Sequence, residues 1–72
     1  MRVVIRPYEL SKHATLKAAL EFLHEAGIVV YGSWFADADV ALLLRQQDAP
    51  KAAAALAEAG FKAMVQTSGQ SG

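Results

Sequence analysis

The sequence predicts an α+β sandwich of βαββαβ order, with a four-stranded antiparallel sheet in the order 4-1-3-2 and both helices on one face. Three observations carry that expectation. Residues 2–6 form a β-branched run closed by Pro7. Two segments with apolar residues at helical spacing each stop at a glycine, Gly27 and Gly60. Leu23-His24-Glu25-Ala26-Gly27-Ile28 is also echoed by Leu56-Ala57-Glu58-Ala59-Gly60-Phe61, in the pattern L-x-E-A-G-apolar. Each copy closes a helix and opens a strand, as two βαβ halves packed into one sheet require.

Ser11 is the expected N-cap of the first helix, because its hydroxyl can accept from a free amide of the first turn. From there to Ala26, the residues Leu16, Ala19, Leu20, Leu23 and Ala26 share one face. Gly27 suits the left-handed position that ends a helix. Ile28 to Phe35 reads as the second strand, and Asp37-Ala38-Asp39 as a polar hairpin turn. Val40 to Arg45 is almost continuously apolar, as a central strand would be. Asp48 is the expected cap of the second helix, with Pro50 tolerated in its first turn. That helix is lined with alanine, which lets it lie close to the sheet. Phe61 to Thr67 is the last strand. The domain is expected over residues 1–67, with 68–72 as a small, polar, flexible tail.

Seventy-two residues allow one domain whose small core gains from association. There is no cysteine, so disulfides and thiolate metal sites are excluded. Seven basic and seven acidic side chains cancel, which argues against a general nucleic-acid or membrane-surface binder. No apolar run is long enough to span a membrane, and the apolar stretch at the start is too short for a signal peptide. A cytoplasmic location is the resulting expectation.

From Glu25 to Phe61 the order helix-Glu-Ala-Gly-Ile-strand, then a strand ending Leu42-Leu43-Leu44-Arg45, then Asp48-Ala49-Pro50-Lys51-Ala52 and Leu56-Ala57-Glu58-Ala59-Gly60-Phe61, resembles an ACT domain. The resemblance extends over residues 1–67. It implies the ferredoxin-like βαββαβ fold and a small regulatory module that binds amino acids or related metabolites, usually as a dimer. Such domains commonly carry a small-residue turn between the first strand and first helix, where the ligand is held. Here Pro7 is followed by Tyr8-Glu9-Leu10 without a glycine.

The expected ligand residues are Tyr8, Glu9, Ser11 and His13, set against Gly27 and Ile28 of a partner's edge strand. Free amides at the start of the first helix favour a carboxylate, and Glu9 can hold an ammonium group. The simpler alternative for this loop is an ordinary connection with Leu10 tucked under the helix as a hydrophobic staple. Val29, Tyr31, Trp34 and Phe35 are the expected interface of a homodimer, because the uncharged stretch from Gly27 to Phe35 would lie at a sheet edge. A pure assembly module that binds no metabolite is the alternative function. If Ile28 and Phe61 face the helices, alternation places Val29, Tyr31, Ser33 and Phe35 on the opposite, open face with Val4, Ala41, Leu43 and Met64. Arg2, Arg6, Arg45 and Lys62 would join them there without an acid, a surface that an anion or nucleic acid could use. A bulge near Gly32 would exchange this alternation.

Catalysis is not expected, and neither is a cofactor or metal. Acylphosphatase-like chemistry on this fold needs a water-orienting asparagine, and the chain has none; its metal-carrying relatives need Cys-x-x-Cys. RNA-recognition domains stack bases on aromatics of the two central strands, which here hold none. His13 and His24 lie on one helical face, but about 16 Å apart at about 1.5 Å per residue, too far to share a metal ion. The purified protein should therefore show no turnover of acyl phosphates or generic esters, before or after chelator treatment. Turnover abolished by a carboxylate substitution would contradict this.

Overall fold

A computed structural model describes residues 1–66; Thr67 and the tail expected over 68–72 lie outside the described residues. The elements are β1 (Arg2–Arg6), α1 (Lys12–Glu25), β2 (Gly32–Ala36), β3 (Asp39–Leu43), α2 (Ala49–Glu58) and β4 (Lys62–Gln66). The strands form one antiparallel sheet in the order β2-β3-β1-β4, the expected 4-1-3-2 order counted from the other edge. β1 and β3 are central, and each contributes two fully buried residues to the helix-covered face: Val3 and Ile5, Val40 and Leu42. Against them pack Ala19 and Leu23 of α1 and Ala49, Ala52 and Leu56 of α2. The small side chains of Ala49 and Ala52, both fully buried, are what bring α2 down onto the sheet.

The repeated L-x-E-A-G-apolar pattern is a helix-stop device. Gly27 has φ 78° and Gly60 has φ 99°, a region that side chains with a Cβ enter at a cost. At the end of α1, Ile28 N–H donates to Leu23 O (2.9 Å) and Gly27 N–H to His24 O (3.1 Å). At the end of α2, Phe61 N–H donates to Leu56 O (2.9 Å) and Gly60 N–H to Ala57 O (3.1 Å). Both are Schellman motifs, in which the leucine and the apolar residue after glycine are the bonded pair. The sequence echo is thus two copies of the same capping chemistry.

At the start of α1, Ser11 is extended and its Oγ accepts from Ala14 N–H at 3.1 Å, as expected of an N-cap. Asp48 behaves differently. Its backbone is already helical (φ −92°, ψ −21°) and its side chain makes no capping bond. The preceding turn takes over, with Asp48 N–H and Ala49 N–H both donating to Arg45 O. Leu10 is 53% exposed and forms no buried staple.

The largest departure lies in β2. This strand begins at Gly32, not Ile28. Ile28 and Val30 pack on the core, which turns Val29 and Tyr31 outward. Gly32 is the Cα partner of Leu43, yet Tyr31 N–H also donates to Leu43 O at 2.8 Å. Two residues thus oppose one, a β-bulge. Beyond it the alternation is reversed: Ser33 pairs with Leu42 and Phe35 with Val40, on the helix side, while Trp34 pairs with Ala41 on the open face. The hairpin turn is correspondingly short, Asp37-Ala38, with Asp37 at φ 55°. Asp39 belongs to β3 and is the partner of Ala36.

An added Cβ at Gly27 or Gly60 meets nothing within 4 Å, so alanine there reports backbone strain alone. Gly27→Ala and Gly60→Ala should each destabilise by about 1–2 kcal/mol in urea unfolding. Ala52→Leu, which has no room under α2, should cost about 1–3 kcal/mol through overpacking.

Candidate functional site

The β1–α1 loop crosses the upper end of the sheet and leans toward the α2–β4 junction. Tyr8 Oη donates to Gly60 O at 3.0 Å, so the carbonyl of a helix-stop glycine anchors a loop residue more than fifty positions away. Lys62 Nζ stands 5.0 Å from the Tyr8 ring centroid, a cation–π contact on the opposite strand end. Between loop and junction lies a cleft of about 200 Å³. Its walls include Tyr8, Glu9 and Leu10 on the loop, Thr15 on α1, and Gly60 and Lys62 across from them. Thr15 is the one polar residue of the buried set, 3% exposed among the described residues. Arg6 also borders the cleft, but its guanidinium is engaged by Asp39 at 3.1 Å. That hydrogen bond first, and the Asp39 charge second, raise the Arg6 pKa above its ordinary value. Lys62 makes no ion pair among the described residues. The cleft is thus bordered by one acidic residue, Glu9, and by a basic residue without an ion pair among the described residues, Lys62.

The remaining expected site residues are distributed along α1. Ser11 spends its hydroxyl on the cap. His13 turns toward β2, its ring edge-on to Phe35 at 4.8 Å between centroids. Lys12 reaches the same corner, donating to Asp37 O at 3.0 Å. Gly27 and Ile28 lie at the opposite end of α1, about 20 Å away for a helix of this length, where they line an open hollow with Leu20 and His24. One chain therefore brings Tyr8 and Glu9 together, holds Ser11 and His13 one turn further on, and leaves Gly27 and Ile28 apart. Gly60, Lys62 and Thr15 were not singled out from the sequence as cleft residues. The long-range pairing of β1 with β4, Arg6 opposite Lys62, places Lys62 here, and no local signal in the sequence carries that information.

The expected interface residues share an edge without sharing a face. Val29 and Tyr31 are more than half exposed, and Trp34 and Phe35 are each 38% exposed. Phe35 flanks α1, whereas Trp34 lies on the open face with Arg2 5.4 Å from its ring. Tyr31 Oη accepts from Arg45 Nε at 2.9 Å, and this bond is the leading cause raising the Arg45 pKa. His, Asp and Glu form no cluster of three suited to a metal ion among the described residues. No helix among them is long and apolar enough to cross a membrane. No family model, curated protein or solved structure matches the chain.

Proposed function

We propose that this protein is a non-catalytic, ligand-sensing regulatory module that works as a homodimer, with a small zwitterion, an amino acid by preference, seated at the β1–α1 end of the sheet. The observation that carries this reading is the cleft with Glu9 on one wall and Lys62 on the other. Its volume of about 200 Å³ suits a molecule of amino-acid size better than a nucleotide. Glu9 would hold the ammonium group, and Lys62 with the loop amides the carboxylate. The resemblance to ACT domains supports the same class of ligand.

The dimer rests on the two edges of the sheet. β4 carries Lys62, and charge on an edge discourages pairing. β2 has no charge and no proline, and next to it Val29 and Tyr31 stand exposed. Two-fold pairing of β2 edges is antiparallel, so the segment entering one β2 would lie beside the end of the other. A partner's Gly27 and Ile28 would then approach the His13 and Phe35 corner. This is how the separated site residues would be brought to one end of the sheet, giving a second set of contacts next to the cleft.

Two measurements test the reading. Sedimentation at micromolar concentration should show a species of twice 7.7 kDa, and Ser33→Lys, at an exposed β2 position, should shift it toward monomer. A 7.7 kDa species alone would remove the dimer. In a thermal-shift screen of the common amino acids, a true ligand should raise the melting temperature. Glu9→Gln should weaken that ligand more than its analogue lacking the amine, and Lys62→Gln should weaken the carboxylate-bearing analogue more than an amine lacking the acid. Equal losses for both analogues in both variants would reject the division of roles.

A further inference from the structure

The formal charge of zero conceals a segregation of charge between the two sides of the molecule. The registers place Val4, Ala41, Trp34 and Met64 side by side on the sheet face that no helix covers. Leu43 extends the row next to Gly32. Met64 is 62%, Leu43 41% and Trp34 38% exposed. Around this apolar centre the same alternation sets Arg2, Arg6, Arg45 and Lys62. Of the seven acidic side chains in the chain, Asp39 alone lies on this face, and it is bound to Arg6. The acids left over, Glu9, Glu21, Glu25, Asp37, Asp48 and Glu58, belong to the helices and loops. The open face is therefore cationic, and the rest of the molecule is anionic by the same amount.

An uncovered apolar sheet face commonly packs on a second sheet. Here a second copy is disfavoured, because back-to-back packing would press two cationic rims together with only two acids, both already paired within their own chains. A copy presenting its acidic helices instead would make a head-to-tail contact that does not close. Nucleic acid fits less well than protein. The central strands offer aliphatic Val4, Ala41 and Leu43 where bases would need aromatic platforms, and the flanking rings are already engaged, Trp34 by Arg2 and the Tyr31 hydroxyl by Arg45. Methionine, tryptophan and arginine together are the composition of protein-binding hot spots.

We infer that the open sheet face is a docking surface for an acidic amphipathic segment of another protein, with its apolar residues on Val4, Leu43, Trp34 and Met64 and its carboxylates on Arg2 and Arg45. Edge pairing through β2 leaves this surface free, because it keeps the helices of both chains on one side and extends the open face on the other. The inference goes beyond the ligand reading and stands apart from it. A zwitterion in the cleft is reported by Glu9, whereas a docked segment is reported by Leu43 and Met64.

The test is selection of a displayed library of random 16-residue peptides on the intact protein, followed by NMR mapping of the enriched sequences. The expected winners combine leucine or aromatic residues with aspartate and glutamate, and they shift the amides of Val4, Ala41, Leu43 and Met64 and the indole N–H of Trp34. Met64→Glu and Leu43→Glu change exposed side chains, so circular dichroism and melting should stay native while binding falls roughly tenfold or more. Enriched peptides that are neutral or basic, or that map to the β1–α1 cleft or the β2 edge, would overturn the inference. So would a twelve-nucleotide single strand of deoxythymidine that binds this face more tightly than any selected peptide. Self-association abolished by Met64→Glu would overturn it in favour of a second copy.

Discussion

Two helices can cover one face of a four-stranded sheet and no more. The close contact of α1 and α2 with the helix-side row of β1 and β3 is the interaction on which everything else depends. Val3, Ile5, Val40, Leu42, Leu23 and Leu56 are fully buried in it, each contributing about 1.5–3 kcal/mol relative to exposure. The alanines of α2 tighten it, and the paired Schellman stops turn the chain back at each helix end, into β4 after α2 and into residues 28–31 ahead of β2 after α1. Because all the helical mass lies on one side, the opposite face and the β2 edge remain bare. The two uncovered surfaces are thus consequences of how a small core is closed.

The same closure explains why the loop and the α2–β4 junction meet. β1 and β4 are neighbours, so the chain leaving β1 at Arg6 and the chain entering β4 at Lys62 stand side by side. The Tyr8 hydroxyl on Gly60 O then fastens a loop without glycine to a glycine whose carbonyl is displayed by its left-handed turn. The cleft lies between this tethered loop and the α2–β4 junction.

How much of this was legible in the sequence divides along local and non-local lines. The Ser11 cap, the Gly27 and Gly60 stops, the burial of Leu23 and Leu56 and the edge position of β2 all follow from short-range chemistry and from the repeated motif. The strand order follows from the topology those elements impose. Asp48 was misleading because a preceding turn on Arg45 O already satisfies the first amides of α2. The face of β2 was misleading because a single bulge at Tyr31 and Gly32 exchanges Trp34 for Phe35. Glycine marks where such a bulge can form but does not require one. Lys62 joined the cleft only through register with Arg6, which no local pattern encodes.

That bulge also determines the character of the open face. Without it, Phe35 and Ser33 would face outward, and Trp34 would turn toward the helices, where its indole N–H would need a buried partner. With it, the indole lies beside Ala41 with Arg2 over its ring, and Tyr31 reaches Arg45 from the same side. Two cations are thus held at the border of the apolar row, Arg2 by the Trp34 ring and Gln66 Oε1, and Arg45 by Tyr31 with the Asp48 charge nearby. Both can offer charge to an incoming group without first breaking an ion pair. Arg6, by contrast, is already satisfied by Asp39 and serves the hairpin end of the sheet. The open face therefore carries one neutralised cation, Arg6 with Asp39, and three that make no ion pair among the described residues, Arg2, Arg45 and Lys62.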